Sequence, residues 1–173
     1  ALITTFVVYH YGLTSTCLLV LLFSWSLLAL TGIDFNEQLL PDNITLPLLW
    51  LGLLINTNNT FASLQDAVIG AAAGYLCLWW IFWVFKLLTG KEGMGHGDFK
   101  LLAALGAWMG WQQLLLIVLL SSLVGAIVGI AMIVLLGRNK QVPIPFGPYL
   151  AAAGWIAFVW GDRITGQYLS LFG

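Results

Sequence analysis

Gly93-Met94-Gly95-His96-Gly97-Asp98-Phe99-Lys100 sets three glycines and one carboxylate between long, almost wholly apolar segments. Glycine lets a backbone bend and lets another segment come close, so the stretch reads as a break that positions Asp98. Ionisable groups at membrane depth are costly and are expected to serve a purpose. The composition on either side decides the class. Of 173 residues, 61% are hydrophobic and only 8% are charged, against roughly 25% charged in soluble domains. The chain is therefore read as all-α, a polytopic transmembrane helical bundle bathed in membrane lipid, forming one membrane-embedded domain over residues 1–173. A net charge of −1, with no basic run interleaved with aromatics, excludes nucleic acid as a partner.

Downstream of the break, residues 99–109 form a short apolar helix closed by Gly110-Trp111-Gln112-Gln113. Residues 114–136 are a full span, with Gly125 and Gly129 four apart. The basic turn Arg138-Asn139-Lys140-Gln141 and the prolines Pro143 and Pro145 lead to a last span over 146–160, followed by Asp162 and Arg163. Upstream, residues 67–88 are a span in which Gly70-Ala71-Ala72-Ala73-Gly74 offers a small-xxx-small face for close helix contact. Trp79, Trp80 and Trp83 suit the interfacial belt at its other end. Residues 13–33 have spanning length and no charge until Asp34. A polar loop follows over 35–43, where Pro41 blocks a straight continuation and Asp42 or Asn43 is placed to cap the next helix, 44–55.

A helix needs about 20 residues to cross the hydrocarbon core, so 44–55 and 99–109 are expected to be tilted, re-entrant or set in thinned bilayer. The count is about six spans, two of them short, plus a partial N-terminal helix. Residues 1–12 read as the remnant of a preceding helix and a non-cytoplasmic loop. With no starting Met, basic leader region or small-residue cleavage site at Ala1, the chain reads as a fragment whose upstream part is missing. Cys17 and Cys77 lack CxxC spacing and a nearby His, so both are expected to be packing cysteines and no metal site is expected.

Lys86, Lys91 and Lys100 flank one loop and Arg138 and Lys140 occupy another, whereas 56–66 and 110–113 carry no Lys or Arg. The positive-inside rule puts the basic loops in the cytoplasm, with Arg163 the one dissenter. Asp34 and Asp98 then both reach the cytoplasmic side, each followed by a short helix running outward. Two such hairpins suggest a weak parallel repeat whose bends meet.

Two carboxylates brought close cannot both ionise cheaply, so the pair shares a proton. One can then take a proton from water as it attacks a carbonyl while its protonated partner donates to the carbonyl oxygen. No nucleophilic Ser or Cys and no metal is needed, and His10 and His96 are wrongly placed for a Ser-His-Asp arrangement. A different class, a proton- or ion-coupled transporter, also uses buried acids and broken helices. A structural membrane subunit would need the acids only as helix caps. Spacing by itself leaves Asp34 and Asp42 both open as the partner of Asp98.

Gly95-His96-Gly97-Asp98 matches the GxGD signature of intramembrane aspartic proteases. Together with Ile33-Asp34, residues 40–50 (LPDNITLPLLW) and residues 97–108 (GDFKLLAALGAW), the chain from about Leu13 onward resembles the bacterial type IV prepilin peptidases. The resemblance implies a multi-pass enzyme of the bacterial inner membrane with its active site facing the cytoplasm. Its substrates would be prepilins or type II secretion pseudopilins, cut after a glycine to remove a basic leader. The resemblance selects Asp34 and Asp98 as the catalytic pair and implies no cofactor for the peptidase step. Family members usually carry an upstream region with two CxxC pairs and methylate the new amino terminus with S-adenosylmethionine. That region is missing here, so the chain is either a fragment of a bifunctional enzyme or a short peptidase-only relative.

Plainer roles stand beside these. Asp98 suits a helix N-cap, Asp34 a solvated interfacial acid, Asp42 a cap, and Glu37 a solvated loop charge. Lys100 suits a cytoplasmic anchor as well as a contact to a carboxylate or to substrate backbone. His96 is expected to be a water-facing spacer. Gly95 and Gly97 are expected to serve close backbone approach, since no preceding strand supports a dinucleotide fingerprint, and with Gly93 to let the loop shift to admit an extended leader.

Overall fold

The computed structural model describes residues 1–90, 94–136 and 145–170. Among these, seven α-helices follow one another: α1 (Leu2–Tyr11), α2 (Ser15–Glu37), α3 (Asp42–Ile55), α4 (Leu64–Thr89), α5 (His96–Met109), α6 (Leu114–Leu136) and α7 (Gly147–Ser170). Short 3₁₀ turns at Asn56–Asn58 and Trp111–Gln113 lead out of α3 and into α6. Three helical stretches are long and apolar enough to cross a membrane: Ser15–Glu37, Leu64–Thr89 and Trp111–Met132. At 14 residues each, α3 and α5 reach only about 21 Å, short of the roughly 30 Å core.

Of these two short helices, α5 is enclosed by protein, while α3 leaves Leu46, Trp50 and Leu54 exposed. In α5, Phe99 and every residue from Leu101 to Met109 are buried inside the protein. Its neighbours are chiefly α4 and α3, with α7 also against it. Apolar side chains gain little by leaving lipid for protein, so the close approach of backbones and interhelical hydrogen bonds must hold such a helix. The expected Gly70–Gly74 face supplies that approach. A Cβ at Gly70 would stand 2.5 Å from the Gly106 carbonyl oxygen, one at Gly74 would stand 2.6 Å from the Leu102 oxygen, and one at Gly106 would overlap the Gly70 carbonyl. Gly125 is different: its nearest neighbour, the Tyr149 ring at 3.5 Å, leaves room for a methyl group.

Hydrogen bonds lock the other side. Trp108 Nε1 donates to the Leu48 carbonyl at 2.8 Å. The buried Asn56 joins three segments: its amide donates to the Ala107 and Trp108 carbonyls, and its Oδ1 accepts from the Phe61 and Ala62 N–H groups. Asn56→Ala strips partners from this set at once, and an unsatisfied buried polar group costs about 1–3 kcal/mol. A loss on the order of 3 kcal/mol is expected, read from unfolding in mixed detergent micelles.

Several boundaries differ from expectation. α2 continues through Phe35, Asn36 and Glu37, where Asn36 bonds back to the Gly32 carbonyl, so Asp34 lies in the last turn of a helix and not in a loop. Gln38, at φ 52°, ends α2, and its N–H donates to the Asp34 carbonyl at 3.0 Å. Pro41 is the residue that caps α3, without a side-chain bond, so neither Asp42 nor Asn43 acts as the cap. α7 does not stop at Trp160, because Asp162 accepts a bond from Gln113 Nε2 at 2.8 Å and no proline follows. The residues at the start of the chain are helical to Tyr11, and Val7 packs with Cys17 and Val20. Cys77, expected in packing, is exposed on α4, whereas Cys17 is buried. Lys91, Glu92, Gly93, the turn from Arg138 to Gln141 and Pro143 lie outside the described residues.

Candidate active site

The two aspartates come from opposite kinds of helix end. Asp34 stands in the last turn of α2, and Asp98 is the third residue of α5. A strict repeat would pair Asp98 with Asp42, the first residue of α3, so equivalence between the halves does not extend to the two acids. Both carboxylates nevertheless open into one cavity of about 620 Å³, lined by the turn over 38–42, residues 94–98, Lys100, Pro145 and Phe146. Each residue is 5% exposed.

Burial overturns the plain roles for both acids. Asp34 is not a solvated interfacial acid: its Oδ2 accepts the Gly147 N–H at 3.1 Å, from the first residue of α7. Asp98 is not the cap of α5, since Gly95 holds that position and no side chain caps the helix.

Asp42 and Lys100 form the rim. Lys100 Nζ donates to both Asp42 oxygens, at 2.6 and 2.7 Å, tying the start of α3 to the first turns of α5. Their side chains are 55% and 29% exposed, and exposed ion pairs contribute about 0–1 kcal/mol. Asp42→Asn is therefore expected to change stability by less than about 1 kcal/mol, checked by the same detergent unfolding.

Gly97 makes the close backbone approach expected of it. A Cβ there would stand 2.7 Å from Leu40 Cβ, so the missing side chain lets the α2–α3 turn seat against α5. Gly95 is exposed and has only Asp98 Oδ2, at 3.8 Å, near its would-be Cβ. His96 is exposed, as a spacer would be, while its ring lies 5.1 Å from Phe82 and 5.4 Å from Phe99. Glu37 is exposed at the end of α2. Among the described residues, no group of three or more His, Cys, Asp or Glu is placed to hold a metal ion.

Sequence reasoning missed Gly147 and Leu40. Phe146-Gly147-Pro148 carried a signal for the first, because proline in a first helical turn marks a helix start, where unpaired N–H groups face outward. Leu40 carried none, being one apolar residue among many.

The arrangement is a buried aspartate pair at one end of a helical bundle, facing an open cavity. Residues 21–130 match the type IV leader peptidase family, and the chain belongs to that family. It is 60% identical over all 173 of its residues to a prepilin leader peptidase/N-methyltransferase of Pseudomonas aeruginosa, covering 60% of that protein. A protein of the same description from Aeromonas hydrophila is 66% identical over 152 residues, which are 88% of this chain and 52% of that one. One from Legionella pneumophila is 49% identical over 161 residues, 93% of this chain and 56% of that one. The chain thus spans a little over half the length of these relatives. No solved structure matches it.

Proposed function

We propose that this chain is an aspartic endopeptidase that removes the leader peptide from type IV prepilins or type II secretion pseudopilins. The observation that carries the reading is the burial of Asp34 and Asp98 in the lining of one cavity. One carboxylate accepts a proton from a water held between them, and that water attacks the scissile carbonyl carbon. The protonated partner donates to the carbonyl oxygen and the departing amine takes up a proton in turn.

The setting follows from charge and depth. Lys86 near the end of α4 and Lys100 beside the cavity support a reading in which this end of the bundle faces the cytoplasm from the bacterial inner membrane. The loops that lead out of α3 and into α6 carry no Lys or Arg. Both acids lie at helix ends and not mid-membrane, and nothing supports the ion-coupled transport reading. Peptide cleavage by two carboxylates needs no cofactor. The methyl transfer in the relatives' description, for which S-adenosylmethionine is the expected donor, is not assigned to residues of this chain.

The test is incubation of the purified protein with candidate prepilins and intact-mass measurement. A product lighter by the leader is the expected result, and a mass gain of one methyl group would report methylation in the same spectrum. Unchanged substrate across a panel of prepilins and pseudopilins rules the proposal out.

A further inference from the structure

We propose that Gly147 is a positioning residue for Asp34, holding one carboxylate oxygen with its N–H and leaving by its bare Cα the space in which that carboxylate stands. The inference rests on the peptidase reading above. Three observations meet at this residue. Its N–H donates to Asp34 Oδ2 at 3.1 Å across 113 positions of sequence. A Cβ added to it would lie 2.6 Å from that oxygen, 3.1 Å from Asp34 Cγ and 3.2 Å from Leu40 Cδ1. It also opens α7, where the next residue, Pro148, has no N–H, and the Tyr149 and Leu150 N–H groups both turn back to the Phe146 carbonyl. Gly147 is thus the amide of that turn directed at the carboxylate, and the helix start adds a favourable dipole there.

Leu40 completes the arrangement. It is buried between Gly97, which stands one residue before Asp98, and Gly147, which holds Asp34. The two glycines and one leucine form a continuous seam from α5 to α7, so the carboxylates are spaced by contacts that admit no added methyl at either glycine. A carboxylate displaced by about an ångström costs on the order of 100-fold in rate.

The closing experiment compares the wild type, Gly147→Ala and Gly154→Ala on one prepilin in detergent, at matched amounts of monodisperse protein. Gly154 is a packing control on the same helix, since its Cβ would meet the Leu105 side chain at 2.6 Å and no part of the cavity. Gly147→Ala is expected to lower kcat on the order of 100-fold with KM changed less than about threefold, whereas Gly154→Ala lowers thermal stability and keeps kcat within about threefold. Adding Leu40→Val to Gly147→Ala relieves the leucine contact alone and is expected to restore nothing. Equal kcat losses in both glycine variants, or recovery in the double variant, would show general packing and overturn the positioning role. An inactive wild type overturns the peptidase reading and this role with it, whereas an active wild type and an active Gly147→Ala overturn this role alone.

A second measurement does not depend on any glycine variant folding. With ¹⁵N-glycine labelling, amide exchange at Gly147 is expected to be at least about 10-fold slower in the wild type than in Asp34→Ala, as fits loss of a buried hydrogen bond. Equal exchange in the two proteins overturns the contact.

Discussion

Asp34→Asn and Asp98→Asn are each expected to lower the rate of leader cleavage about 1,000-fold or more while leaving a folded, monodisperse protein. The amide keeps the shape of the carboxyl group and its capacity to accept a hydrogen bond, and it removes the ability to exchange a proton. At Asp34 the Gly147 N–H can still be accepted by the amide oxygen, so α7 stays seated. At Asp98 no cap is lost, because Gly95 and not Asp98 holds the cap position of α5. The two substitutions should also fail to multiply, since either alone breaks a mechanism that needs both groups. The wild type should show an optimum with a fall on both sides, as one carboxyl must be protonated while the other is ionised. Cleavage that persists at more than a tenth of the wild-type rate in either folded variant would end the two-aspartate mechanism.

The second large effect is structural. Gly70→Ala is expected to destabilise the fold by about 3 kcal/mol, the upper end for overpacked cores. A methyl at Gly70 would lie 2.5 Å from the Gly106 carbonyl oxygen and 2.8 Å from the Gly110 carbonyl carbon. These are backbone atoms inside helices or at their ends, so no rotamer change relieves the overlap and the helices must separate. Separation would break packing along the α4–α5 interface and with it the platform of Asp98. Denaturant titration in micelles, followed by tryptophan fluorescence, measures the cost, and Ala72→Leu on the exposed side of α4 is the matched control. A Gly70→Ala protein as stable as that control would mean that the close approach does not hold α5 in place.

Much of this was readable beforehand, for identifiable reasons. Helical runs without charge declare themselves by composition, and α6 begins at the residue where apolar character does. Glycines four apart announced a close contact on α4, although not that α5 would fill it. GxGD named Asp98. Less was visible wherever a residue's part depends on a distant neighbour. Asp42 looked like a cap because Asp commonly is one, and only the fold brings Lys100 to it across 58 positions. Gly97 suits close backbone approach by its residue type, but only the fold names Leu40 as the neighbour it admits. Asp34 looked solvated because polar residues follow it, and its burial comes from the start of α7 far down the sequence.

The enclosure of α5 carries one more consequence. Among the described residues, Asp98 is mounted on the one helix whose apolar side chains from Phe99 onward are all sealed within protein, while α2, α4 and α6 present exposed leucines, isoleucines and tryptophans outward. Changes in acyl-chain length or lateral pressure therefore act first on the outer ring, which tilts or slides to meet them. The inner helix is insulated from those adjustments by a layer of side chains, much as a bearing is isolated from its housing. A cell that remodels its lipids with temperature would leave the seat of Asp98 on that inner helix undisturbed.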